Sequence, residues 1–522
     1  MDINNLLIWI VCLSCVTTTI YAVRTSFHDN RGWIFVSIFI FVVTAVTSYL
    51  IPNLGGLVGG CFWVIFILIP NLVNRKVNQL VAQQRYHQAS KLAQFVSWLH
   101  PADGLRSKPE MLHALDLGQR GAIAEAISIL NRYKTTDTPT GRSAIVTLYQ
   151  IDARWEEMLV WIRENLSEVK LQKDSEMLLY YLRSLGETGD LNSLLHAWEY
   201  YERSIEQIPN LITRNLARMF VLAFCGQIEQ VKTLINGSLR IYSPTIQVFW
   251  LATANLAAGN ELLGKEQLLS IRDSNDIRFS GAIERRLSQP VVKAETILTD
   301  KSKQILSRIT AELLQEAKYS GKADLTRYKP IATYLIIGLN FFAFALEIKF
   351  GGSTNFFSLY RLGALVPTEV INGDWWRLFT AAFLHFGFLH LLMNMFGLYV
   401  FGRLVELNLG ILRYLILYLT TGLGSMLAVT FMSVMGYSKT EFVVGASGCV
   451  MGLVGAFAAI LFYDWLRHKT RIASKSLRGI LSLILLQAIF DLTTPQISFV
   501  GHTSGVIIGF VLGFLLKVIG KS

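Results

Sequence analysis

The chain has 522 residues, 52% hydrophobic and 16% charged, with a mean hydropathy of +0.41. It is too apolar for an ordinary soluble protein and too polar for one lying wholly in a membrane, and its length allows about two or three domains. The net charge of +11 comes without a basic stripe interleaved with aromatics, which excludes a nucleic-acid partner and favours lysine and arginine held in cytoplasmic loops.

Three apolar stretches open the chain, at about 5–22, 33–51 and 54–73, each able to cross a hydrocarbon core of about 30 Å. The tight joint at Pro52 and Asn53 predicts a helical hairpin. Arg24 and Arg31 in the first loop, and Arg75 and Lys76 after the third stretch, place the amino terminus outside and residue 74 onward inside. The first stretch has neither a basic lead nor a clear cleavage site, so it reads as an anchor within a membrane region 1–73. Cys12, Cys15, Cys61, Cys225 and Cys449 form no ligand cluster, and neither a disulfide framework nor a metal site is expected.

Residues 74–329 are polar with helical periodicity. A faint repeat runs through Leu117-Gly118-Gln119-Arg120-Gly121, Leu185-Gly186-Glu187-Thr188-Gly189 and Phe224-Cys225-Gly226-Gln227, with related turns near Arg85, Arg154 and Gly259. A recurrence of about 35 residues is similar to tetratricopeptide arrays of helix pairs, although no unit carries the full pattern. Stacked pairs leave a concave surface that suits a cytoplasmic protein partner, and a spacer remains the alternative. Residues 281–329 keep the period without a clear unit, and Pro330 marks the return to the membrane.

Six more apolar runs follow, at about 331–348, 380–402, 411–434, 444–463, 476–491 and 500–518. The loop 349–379 carries Phe356, Phe357, Trp375 and Trp376, which suit the outer interface. Arg327 and Lys329 put the start of this block inside. Counting onward, Arg403, Arg413, Arg467, Lys469, Arg471, Lys475, Arg478, Lys517 and Lys521 also fall inside. Ser447 and His502 then both begin helices entering from the outer face, at one depth.

Ser447 sits in Gly445-Ala446-Ser447-Gly448, where small residues leave room for a substrate backbone beside a nucleophilic hydroxyl. Such a quartet is equally compatible with helix packing. His502 stands in Gly501-His502-Thr503-Ser504-Gly505, with Gly505 and Gly509 allowing close helix approach. His390 and Asn394 are four apart on one helical face, near the outer end of the second run, with His385 just before them. A serine, a histidine base and a histidine–asparagine pair of donors are the parts of an acyl-transfer site. The Ser447 amide is a further donor. No acidic residue is apparent at the depth of His502, so the expectation is a dyad oriented by helix packing. Singly, His502 suits a packing or interfacial role, His385 would satisfy loop or helix-end carbonyls, and Asn394 would join two helices. Their coincidence at one depth favours the site.

At this point the sequence resembles the rhomboid family of intramembrane serine proteases. The resemblance rests on Trp376-Arg377-Leu378-Phe379-Thr380, then His385, His390 and Asn394, then Gly402-Arg403-Leu404-Val405-Glu406, the quartet Gly445 to Gly448, and His502 with Gly505 and Gly509. It covers about 330–520 and implies an all-α, six-helix membrane bundle, so the chain divides into 1–73, 74–329 and 330–522. It also implies a serine endopeptidase that cuts single-pass membrane proteins near the outer face, with Ser447 as nucleophile and His502 as base. His390 and Asn394 would serve the oxyanion, and Arg377 and Glu406 would brace the loop and the second core helix. No metal or organic cofactor is implied. Met451, one turn after Ser447, stands where many relatives have an aromatic against the base, and implies a looser or slower dyad. The expected setting is the plasma membrane and its lipids, with the repeat domain cytoplasmic.

Two other readings compete. A catalytically silent relative binding membrane proteins through the same groove would typically lack the serine or the histidine, and both are present. A transporter of inverted repeats would show matched broken helices and deeper polar residues, and the sequence shows neither.

Overall fold

A computed structural model describes residues 3–26, 30–99, 106–208, 210–273, 276–290, 292–322, 329–437, 442–468, 471–494 and 497–520. Of the basic residues that orient the sequence, Arg327, Lys469 and Lys521 lie outside the described residues. The protein is all-α and polytopic, with a soluble helical region. Among the described residues, nine helices are long and apolar enough to cross a membrane. They are α1 (Ile3–Ser26), α2 (Arg31–Leu50), α3 (Gly55–Ala82), α4 (Ile331–Lys349), α5 (Phe388–Leu409), α6 (Ile411–Val434), α7 (Ser447–His468), α8 (Arg471–Thr493) and α9 (Phe499–Ile519). The chain divides into two compact units, Asp2–Gln315 and Glu316–Ser522.

In the first unit α1, α2 and α3 pack through small residues. A Cβ on Gly59 would collide with Thr44, and one on Gly56 with the main chain of Asn4. Asn4 closes the hairpin, donating to the Pro52 carbonyl at 2.8 Å and accepting from Gly56 N at 2.7 Å. Helix α3 does not stop near residue 73 but continues to Ala82, through a π turn at Val64–Leu68 just before Pro70. Its last turns are amphipathic and bury Val77 and Leu80 in a soluble core with Tyr86, Leu112 and Leu130. The expected boundary marks the end of the apolar surface, not the end of the helix.

Helix pairs follow at the expected period. Left-handed residues close successive first helices at Gln84, Gly121, Ala153, Gly189, Gly226 and Gly259, in steps of 32 to 37. Four of the six are glycine, which reaches this conformation without a Cβ clash. The pairs bury Trp155 and Trp250 around Arg183, whose guanidinium lies 4.7 Å from the Trp155 ring and pairs with Glu187 at 3.2 Å. The array curls back on itself. Gln84 and Tyr86 both donate to Asp276, which also pairs with Arg278 at 3.0 Å. Ser243 joins them through the Ala82 carbonyl and Gln84. A groove of about 1210 Å³ lies inside the curl, lined by Lys108, Glu176, Tyr180, Trp250 and Phe279 among others.

In the second unit α7 is the centre of the bundle, with 56% of its apolar window buried, whereas α8 is peripheral, with 6%. Gly501, Gly505, Gly509 and Gly513 recur every four residues and make one buried face of α9. Cβ atoms on Gly505 and Gly509 would collide with the Gly448 and Gly452 carbonyls, and one on Gly513 would lie 2.7 Å from Ala456 Cα. Helices α7 and α9 therefore meet backbone to backbone. Helix α5 begins at Phe388, later than the apolar run from 380, because Gly387 turns the chain at φ 85°. The residues before it form a short helix, Arg377–Thr380, and a loop. At the other end of α5, Glu406 accepts from Ala332 N at 3.1 Å, Thr333 N at 2.9 Å and Thr333 Oγ1 at 2.7 Å. It caps α4, whose own N-cap residue, Pro330, offers no side-chain bond.

Candidate active site

The segment leading into Ser447 is held on both sides. Leu365 and Val443 exchange backbone hydrogen bonds at 2.9 and 3.0 Å, and Gly445 N donates to the Ala381 carbonyl at 2.9 Å. This ties the segment to the long loop after α4. The loop is itself braced by buried Arg377, which donates to the carbonyls of Tyr360 at 2.8 Å and Ala364 at 3.1 Å and pairs with Asp374 at 2.8 Å. Phe356, Phe357, Trp375 and Trp376 are exposed along it.

Gly445 has φ 131° and lies against α5. A Cβ there would stand 2.8 Å from His390 Nε2 and 3.7 Å from Asn394 Nδ2. Only glycine fits this conformation and this space. His390 Nδ1 accepts from Phe386 N at 3.4 Å, so the imidazole proton sits on Nε2, the nitrogen facing Gly445. Asn394 is buried, and its amide also donates to the His390 carbonyl at 3.1 Å.

Ser447, half-buried, is the first residue of α7. Its neighbour Gly448 lies between α6 and α9: a Cβ there would overlap the Ser425 hydroxyl of α6, with the Gly501 carbonyl 3.7 Å away, and Gly505 of α9 packs on the Gly448 carbonyl. The chain around Ser447 thus has His390 and Asn394 on one side and the start of α9, which carries buried His502, on the other. Met451 is buried one turn along α7. Arg377 and Glu406 do not join this cluster; one braces the loop and the other fastens α5 to α4.

His385 stands in the loop before α5, not on the helix. It is fully buried, its Nδ1 lies 3.1 Å from the Phe383 carbonyl, and its backbone N–H donates to Glu347 at 2.8 Å. This agrees with the reading that it satisfies loop carbonyls.

One expectation is corrected. An acidic residue does stand at the depth of His502: Asp491 Oδ2 lies 2.8 Å from His502 Nδ1, and both residues are buried. Asp491 Oδ1 accepts from Gln487 Nε2 at 2.8 Å. Asp491 lies in the last turn of α8, and a short connection folds α9 back beside it. The available signal was a lone carboxylate at the end of an apolar run, a position that is costly in lipid unless paired.

Comparison with known proteins agrees with this bundle. The Rhomboid domain matches residues 372–518, from the loop before α5 into α9. RHOMBOID-like protein 6, mitochondrial, of Arabidopsis thaliana is 36% identical over 161 residues, 30% of this chain and 50% of that protein. Rhomboid protease GluP of Bacillus subtilis (strain 168) is 33% identical over 197 residues, 38% of this chain and 37% of that one. The "Putative rhomboid protease YdcA" of the same bacterium is 32% identical over 156 residues, 30% of this chain and 71% of that one. The chain belongs to the rhomboid family. As a rhomboid it carries a long first unit in addition to the matched domain, and it spans half or less of the length of the first two relatives.

Proposed function

We propose that this rhomboid is an intramembrane serine endopeptidase. The observation that carries the reading is the position of Ser447, flanked by His390 Nε2 and Asn394 Nδ2 through Gly445 and by the start of α9 through Gly448. In the reaction, His502 Nε2 takes the Ser447 hydroxyl proton as Oγ attacks a peptide carbonyl. The carbonyl electron pair moves onto oxygen, where the His390 Nε2–H, the Asn394 amide and the Ser447 backbone N–H stabilise it. The imidazolium returns the proton to the leaving amine. A water then repeats the sequence on the acyl ester and frees Ser447.

The substrates are single-pass membrane proteins cut near the outer face, in the plasma membrane. The division 1–73, 74–329 and 330–522 belongs to this reading, as does a cytoplasmic, tetratricopeptide-like repeat domain that engages a protein partner. The names of two of the compared relatives, rhomboid proteases of Bacillus subtilis, support the activity. Active-site labelling tests the nucleophile. A fluorophosphonate should add to Ser447 alone in the folded protein, and addition only to other residues would reject the assignment.

A further inference from the structure

Asp491 is the one described carboxylate bonded to the candidate base, and both of its oxygens are committed. Oδ2 faces His502 Nδ1 and Oδ1 accepts from Gln487, each at 2.8 Å. An ionised carboxylate only accepts hydrogen bonds, so its contact requires a proton on His502 Nδ1. That leaves Nε2 of the neutral ring as the lone-pair nitrogen, the form a general base needs. Gln487 lies one turn before Asp491 on α8 and fixes the carboxylate plane.

The location strengthens the reading. Helix α8 is the least buried of the nine, yet Asp491 is 5% exposed and His502 8%. A carboxylate buried in a membrane bundle is costly without a specific partner, and its partner here is the imidazole. Helix packing alone would be served as well by an apolar residue at this position. From this geometry we infer that Asp491 is a positioning residue for His502, so that Ser447 and His502 act with the ring held by Asp491. Asp491 takes no proton in the reaction. It holds the ring in one tautomer and orientation, and stabilises the imidazolium formed when Nε2 receives the serine proton.

The inference rests on the reading of Ser447 and His502 proposed above, and the experiment separates the two. The full chain, reconstituted in liposomes, is given a designed single-pass peptide with small residues near its outer end. Ser447→Ala, Asp491→Asn and Asp491→Glu are compared with the unaltered chain. The expected pattern is no cleavage by Ser447→Ala and a fall in kcat of roughly 10²–10⁴-fold for Asp491→Asn. KM should stay within about twofold and Asp491→Glu should recover part of the loss. Unchanged kcat in Asp491→Asn, with Ser447→Ala inactive, overturns the positioning role and leaves the nucleophile standing. Full cleavage by Ser447→Ala overturns both.

A second measurement holds if Asp491→Asn fails to fold. In the folded Ser447→Ala chain, nitrogen-15 spectra of labelled histidine should show neutral His502 protonated on Nδ1. A proton found on Nε2 instead contradicts the inference.

Discussion

Gly505 packs so closely on the carbonyl of Gly448 that a Cβ at Gly505 would overlap it. The contact sets the separation of α7 and α9, and with it the spacing of Ser447, next to Gly448, and His502, one helical turn before Gly505. Replacing Gly505 with Ala is therefore expected to force the helices apart at the site. The destabilisation should be about 1–3 kcal/mol, with cleavage falling further than stability. Thermal unfolding in detergent beside turnover checks this. Normal turnover in Gly505→Ala would show that the close approach does not position the pair.

Asn394 offers its Nδ2 near Gly445 while also bonding the carbonyl of His390. Asn394→Ala is expected to lower kcat by roughly 10²–10³-fold with little change in KM, because the donor matters most when negative charge develops on the substrate oxygen. Steady-state kinetics on a transmembrane peptide decide it. A raised KM at constant kcat would assign Asn394 to substrate binding instead.

Glu406 supplies the acceptor for two buried amides and a hydroxyl at the start of α4. Its replacement by Ala leaves those donors unsatisfied and should cost about 2–5 kcal/mol. Glu406→Gln, which keeps one acceptor oxygen, should lose less. Comparison of the unfolding midpoints of the two variants tests the order. Equal midpoints would mean that water replaces the carboxylate.

Asp276 closes the soluble array. Burial raises its carboxyl pKa, but the Arg278 charge and hydrogen bonds from Arg278, Tyr86 and Gln84 outweigh that and hold it down to about 2, against 3.8 unperturbed. A folded pKa below the unfolded one stabilises the protein above about 3.8 and loses that contribution as pH falls through about 2. The contribution at neutral pH is about 2 kcal/mol. Hydrogen exchange of the amides near Gln84 and Arg278 should be faster in Asp276→Asn at pH 7, with the difference from the unaltered chain shrinking as acid is added. Equal protection at neutral pH would place the closure on other contacts.

The helices were legible where one chemical property ran unbroken. All nine apolar stretches became helices of membrane length, and the repeat period of the soluble array appeared in its left-handed turn residues. Two of those turns, at Gln84 and Ala153, use residues that carry no turn signature, which is why the repeat looked faint. The apolar end of α3 concealed a helix that turns amphipathic and continues. The start of α5 was misplaced because Gly387 breaks the helix inside an apolar run. At the site, the glycines around Ser447 and beside His502 were readable because close helix approach needs them. Asp491 was missed because its partner lies on the next helix, and spacing along one helix cannot reveal a contact made across a turn.

The most direct test of the account is cleavage of a purified transmembrane peptide by the full chain beside its Ser447→Ala form in the same liposomes, with product masses recorded. The account predicts a cut near the outer end of the peptide helix that vanishes in Ser447→Ala, while the two proteins unfold at the same temperature. An identical cut by both forms would contradict it.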